Sequence, residues 1–113
     1  FHFESGYNAM YELIKTDITA CFALNDLMAL GAMKALNEAK ISIPDDISLI
    51  SYDDTFFMQF ATVALTSVKQ NTRELAAITT KIILDSIVKG DGVVQTVEIL
   101  PELVKRNSVK IIK

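Results

Sequence analysis

The chain has 113 residues, 11 basic and 14 acidic, for a formal charge of −3. Half of the residues are hydrophobic and 22% are charged. That suits one domain, or part of one, with enough apolar content to bury a core; it excludes disorder, collagen-like repeats and a disulfide scaffold. The acidic balance argues against this segment gripping a phosphate backbone by itself, and no apolar run is long enough to suggest a membrane partner.

In the first segment, Tyr7, Met10, Tyr11 and Ile14 recur at helical spacing behind Ser5, a candidate N-cap. The spacing predicts a helix from about Gly6 to Lys15. Residues 18–24, ITACFAL, carry no charge. Such a run is typical of a strand covered on both faces of a parallel sheet. Asn25 and Asp26 follow, and either can cap the next helix, which runs from Asp26 to about Lys40. Its apolar stripe is too wide for one core-facing side. One face is expected on the sheet and another on something else, such as a partner subunit.

Pro44 forces Ile43 into an extended conformation, and Pro-Asp-Asp is turn chemistry. Ile47 to Tyr52 reads as a second buried strand, ending at Asp53-Asp54. Strand, helix and strand within such a short span form a right-handed βαβ unit. Phe56, Phe57, Met58 and Phe60 crowd a loop or short helix. Leu65 to Val68 reads as a short strand, and the polar stretch from Lys69 to Thr72 is a candidate boundary between structural units. Arg73 to Lys89 reads as a helix with Leu75, Ile78, Ile82 and Ile83 inward and Gly90 at its stop. Val93 to Leu100 alternates like a strand, and Glu102 to Arg106 suggests one more.

In open α/β sheets, ligands sit beyond the C-terminal ends of the strands. Two strands here end in polar residues, and if they are neighbours, Asn25 and Asp53 point at one crevice. A carboxylate accepts hydrogen bonds from adjacent hydroxyls, and an amide both donates and accepts. The combination suits a sugar or another polyol. The same residues also meet a purely structural demand, with Asn25 and Asp26 as caps and Asp54 as a turn residue. Catalytic patterns are weak. The single His2 stands at the N-terminus, away from any triad or metal spacing, and no phosphate-binding loop occurs. The single Cys21 falls in mid-strand, where a small apolar role fits better than a nucleophile. No enzyme activity, cofactor or metal is expected.

The stretch TACFALNDLMALGAMKALNEAKISIPDDISLISYDDT, then LTSVKQNTRELA, then LVKRNS, resembles the C-terminal part of the effector-binding module of the lactose-repressor/galactose-repressor (LacI/GalR) family of transcription regulators. The likeness spans roughly residues 6–108. It implies a periplasmic-binding-protein-like α/β fold, a parallel sheet flanked by helices, in which two lobes enclose an effector cleft. By that likeness, Asn25 and Asp53 hydrogen-bond the effector, with Gln70 near the lobe crossover as a further contact. Residues 1–69 correspond to the second lobe, and residues 70–113 to the crossover, a helix and strand of the first lobe, and the C-terminal strand. Leu30, Phe56, Phe57 and Phe60 correspond to a homodimer interface. The chain departs from the usual pattern at Ser51 and Lys40, where glycine is common, and at Thr72, where some relatives carry an aromatic.

The resemblance therefore implies the ligand-sensing, dimerising fragment of a cytoplasmic regulator that responds to a small effector, with a sugar expected. Operator DNA would be bound only through an N-terminal domain outside this chain. A soluble sugar-binding protein of a transport system shares the fold and is the alternative. A phosphoacceptor domain fits poorly, because it needs an acidic pair after its first strand.

Overall fold

The computed structural model describes residues 1–90, 92 and 94–112. In chain order the elements are α1 (Phe3–Leu13), β1 (Ala20–Phe22), α2 (Asp26–Glu38), β2 (Ser48–Asp53), a 3-10 turn at Phe56–Phe60, β3 (Thr66–Lys69), α3 (Thr72–Lys89) and β4 (Glu102–Val104). The strands form one sheet in the order β1-β2-β3-β4, with β1 on β2 and β2 on β3 both parallel. The chain divides into two compact units, Phe1–Lys69 with Leu103–Lys113, and Gln70–Glu102.

In the first unit, α2 lies against the sheet. Ala29 and Met33 pack with Leu49, Leu65 and Met58 in one buried cluster, while Ala32, Ala35 and Leu36 meet Met10 and Ile47 in a second. Thus α1 of the same chain covers a second face of α2, while Leu27 stays exposed and Leu30 borders an open groove. The two helices touch backbone to backbone. A Cβ on Gly31 would stand 2.0 Å from the Phe3 carbonyl oxygen, and one on Gly6 would stand 2.1 Å from that of Met28. Only hydrogen at both positions permits this approach.

Helix α1 starts earlier than the spacing predicts. His2 is its N-cap and Ser5 occupies the third helical position. The Ser5 hydroxyl accepts from the His2 N–H at 3.0 Å and donates to the His2 carbonyl at 2.6 Å, so it still satisfies the helix entrance. The Ile43–Pro44 peptide is cis, and Asp46 closes that turn by accepting from the Ser42 N–H at 2.8 Å.

Strand β1 is shorter than the uncharged run and is not covered on both faces. Cys21 shares a register position with buried Leu49, but Phe22 on the opposite face is 52% exposed. Burial on the covered face pushes the Cys21 thiol above its ordinary pKa, which suits an inert packing residue. The β2–β3 pair is tied by serines: the Ser51 hydroxyl donates to that of Ser67 at 2.9 Å in the buried layer. The C-terminal segment is stitched across the same strands. Buried Ser108 donates its hydroxyl hydrogen to the Leu49 carbonyl at 2.5 Å and accepts from the Thr66 N–H at 2.8 Å.

In the second unit, Asn71 caps α3 by accepting from the Glu74 N–H at 3.1 Å, and Gly90 ends it in the left-handed region at φ 62°. No residue of α3 is buried. Leu75, Ile78, Ile82 and Ile83 were expected to face inward, but Leu75 and Ile83 are exposed and the other two only half-buried. The expected strand from Val93 is also not formed. Residues 94–100 have no regular structure, and Val93 lies outside the described residues. An alternating pattern becomes a strand only where a neighbouring edge takes its hydrogen bonds.

The glycine contact gives a direct test. Gly31→Ala gains at most about 1 kcal/mol of helix propensity, but the new methyl falls inside contact distance of a backbone carbonyl, and overpacking costs about 1–3 kcal/mol. The substitution is expected to lower the urea midpoint of the folded protein. An unchanged or raised midpoint would show that the helices separate freely.

Candidate functional site

The site begins with register. Phe22 of β1 pairs with Ile50 of β2. Asn25 stands three residues past Phe22, and Asp53 three residues past Ile50. Two parallel strands advance in step, so the two residues reach the same C-terminal edge of the sheet.

Asn25 is the N-cap of α2. Its side-chain oxygen accepts from the Met28 N–H at 2.8 Å, while its amide nitrogen makes a long 3.5 Å contact with the Phe1 carbonyl. The cap therefore occupies the acceptor end of the amide, and the donor end is the part suited to a ligand oxygen. Both roles read from the sequence thus fit in one side chain, and Asn25, not Asp26, is the cap.

Asp53 closes β2 and is partly exposed. Its φ is 99°, and that of Asp54 is 52°. Two successive non-glycine residues with positive φ are unusual, and such backbone strain concentrates where function needs it. The turn is held on both sides. Asp54 is not merely a turn residue: its carboxylate accepts from the Arg106 guanidinium at 2.6 Å, and the same nitrogen donates to the Leu65 carbonyl at 2.7 Å. On the other side, Thr55 donates its N–H and its hydroxyl to Asp26, at 2.6 Å and 2.5 Å. Lys69, at the end of β3, sits in register beside Asp53.

The sequence marks Asp26 only as a polar strand-end residue and candidate cap, and it does not single out Thr55 or Arg106 at this edge. The partners of all three lie far away in the chain, so no local pattern marks these contacts. Gln70 directly follows β3, is half-buried, and opens the second unit. Its carbonyl accepts from the Thr72 N–H at 3.0 Å, at the entrance to α3. Among the described residues, no group of three or more His, Cys, Asp or Glu side chains is placed to hold a metal ion.

A second feature lies on another surface of the first unit. Leu30, Met33, Ile41, Phe60 and Val63 line an open groove of about 780 Å³. Phe56 and Phe60 stand edge to face with ring centroids 5.4 Å apart, and are 77% and 71% exposed. Phe57 is also exposed, whereas Leu30 is half-buried and packs partly on the core. No helix among the described residues is long and apolar enough to cross a membrane.

Comparison with known proteins agrees with this architecture. The periplasmic binding protein-like domain family matches residues 1–109. The transcriptional repressor PurR of Mannheimia succiniciproducens is 39% identical over 112 residues, covering 97% of this chain and 34% of that protein. PurR of Haemophilus influenzae is 40% identical over 115 residues, with 97% and 34% coverage. The chain spans about a third of the length of these curated relatives. Among solved structures, a LacI family regulator of Enterococcus faecium with bound ribose superposes with a TM-score of 0.91 at 33% identity, over 100% of this chain and 42% of that one. The lac repressor dimer bound to operator and an anti-inducer superposes at 0.86 with 31% identity, over 96% and 38%. The α/β fold, the parallel strands, the family match and these repressor relatives converge. The chain belongs to the periplasmic binding protein-like family, as part of an effector-binding module of the LacI/GalR type.

Proposed function

We propose that this chain is the ligand-sensing part of a sugar-responsive transcription regulator. Asn25 and Asp53 contact the effector from one wall of an inter-lobe cleft, and Gln70 adds a contact near the crossover. Residues 1–69 form most of the second lobe. Residues 70–113 provide the crossover, a helix and strand of the first lobe, and the C-terminal strand. A helix-turn-helix domain outside this chain would bind operator DNA, and the whole regulator would act in the cytoplasm.

The observation that carries this reading is the shared register of Asn25 and Asp53 at one sheet edge. Neighbouring hydroxyls of a sugar need an acceptor and a donor side by side, and a carboxylate with a capped amide supplies both. The relative with bound ribose supports a sugar as the ligand class. The repressor relatives favour a regulator over a transport protein.

Removing the carboxylate tests the site. In a full-length regulator carrying this chain, Asp53→Ala should weaken D-ribose binding by roughly ten- to a hundredfold, the loss of a charge-assisted hydrogen bond of about 1.5–3 kcal/mol. Operator binding without sugar should stay intact. Calorimetric titration with ribose and gel-shift with operator measure the two. Equal ribose affinity in both proteins would remove Asp53 from the site.

The same regulator is expected to pair through the face containing Leu30, Phe56, Phe57 and Phe60. The exposed phenylalanines adjoin a groove of mixed character, lined by Leu30, Met33 and Val63 and also by Lys34, Asn37 and Lys40, and exposed apolar side chains gathered in this way mark contacts. A two-fold interface would bring each patch onto its own copy. Leu30→Asp should therefore shift the sedimentation profile from dimer toward monomer. An unchanged oligomer would place the interface elsewhere.

A further inference from the structure

Asp26 follows Asn25 at the first helical position of α2, yet it does not cap the helix. It is 2% exposed, and its Oδ2 takes both the backbone N–H and the hydroxyl of Thr55. Its other oxygen, Oδ1, is buried without a hydrogen-bond partner among the described residues. A buried carboxylate with one oxygen left unpaired is a poor device for stability alone, since desolvation opposes it. What it does achieve is a fixed link between α2 and the residue two places beyond Asp53.

That link ends at a strained segment. Asp53 and Asp54 both hold positive φ, a conformation that persists only when the surroundings over-determine it. Arg106 fixes the Asp54 side chain. Asp26 fixes the backbone at Thr55. Asn25, the neighbour of Asp26, belongs to the same rigid helix start. A single peptide step thus joins the amide proposed to donate to the effector with the anchor of the carboxylate proposed to accept from it.

We propose that Asp26 is a positioning residue for effector binding. It anchors Thr55, and through Thr55 it sets where the Asp53 carboxylate stands relative to Asn25. The assignment rests on the reading of Asp53 as an effector contact. Asp26 does not touch the effector and acts only through Asp53.

The test is a double-mutant cycle in the full-length regulator, titrated calorimetrically with D-ribose. Asp26→Ala removes both bonds to Thr55, and Thr55→Val removes only the hydroxyl bond while keeping the shape. Asp26→Ala should weaken ribose binding about tenfold in the otherwise unsubstituted protein, but by less than about twofold when Asp53→Asn is already present. A residue supporting the fold in general would weaken binding equally in both backgrounds, and that outcome overturns the proposal. So does unchanged ribose affinity in a folded Asp26→Ala protein. If Asp26→Ala does not fold, Thr55→Val is compared in the same two backgrounds, with the same coupling expected and about a threefold loss. Failure of the underlying reading looks different: Asp53→Asn alone would then bind ribose as tightly as the unsubstituted protein, or neither would bind it.

Discussion

Parallel register between β1 and β2 is the constraint on which the candidate site depends. Asn25 and Asp53 are far apart in sequence, and they meet one edge only because Phe22 pairs with Ile50. Side chains on a strand alternate faces, so a slip of one residue would move Asp53 to the other face and break its alignment with Asn25. The Ser48 N–H donates to the Thr19 carbonyl and the Ala23 N–H to that of Ile50, pinning β1 on β2, and further buried contacts hold β2 itself in place. Leu49 fills the core under α2, Ser51 meets the Ser67 hydroxyl, and Ser108 bridges Leu49 to Thr66. These hydroxyls have one register in which all are paired, and leaving a buried one unpaired costs about 1–3 kcal/mol. The contact with Ser67 gives the Ser51 hydroxyl a structural use in the buried layer.

The end of β2 shows how local cost is balanced by distant contacts. Residues held in sparsely populated backbone regions cost of order 1–3 kcal/mol each, and Asp53 and Asp54 are two in succession. Neither side of the turn is left to its own preferences. Arg106, from the C-terminal segment, grips Asp54 in a poorly exposed ion pair, and Asp26, from α2, grips Thr55. Partly buried charge pairs of this geometry bring little net stability against apolar replacements, but losing one partner is costly. Their use here is geometric: two separate parts of the chain, the C-terminal segment and α2, converge to hold one short turn.

Much of this organisation was legible locally, and the reasons are specific. Helix α2 announces itself through Asn25 as a cap and an alanine-rich apolar run, and α3 through Asn71, its periodicity and Gly90. Strand β2 shows as an uncharged segment between a proline turn and two aspartates. Other features depend on what lies across the fold. Gly6 and Gly31 look like weak helix residues until α1 and α2 are brought into backbone contact. Residues 94–100 alternate, yet they form no strand, because pattern does not supply a partner. The apolar positions of α3 are not buried for a similar reason: periodicity describes a face and not what covers it. Around the candidate site, Asn25 and Asp53 could be named from strand ends, while the roles of Asp26, Thr55 and Arg106 rest on hydrogen bonds between distant residues that no window of sequence contains.

In the proposed function the effector is held at the shared edge of β1 and β2. Hydrogen–deuterium exchange of the full-length regulator, read by mass spectrometry with and without saturating D-ribose, tests it most directly. Bound ribose should slow exchange in the peptides that contain Asn25 and Asp53 to Thr55. Exchange around Ile41 to Ile43, in the groove beside Leu30, should not change. Protection confined to that groove, with none at the strand ends, would contradict it.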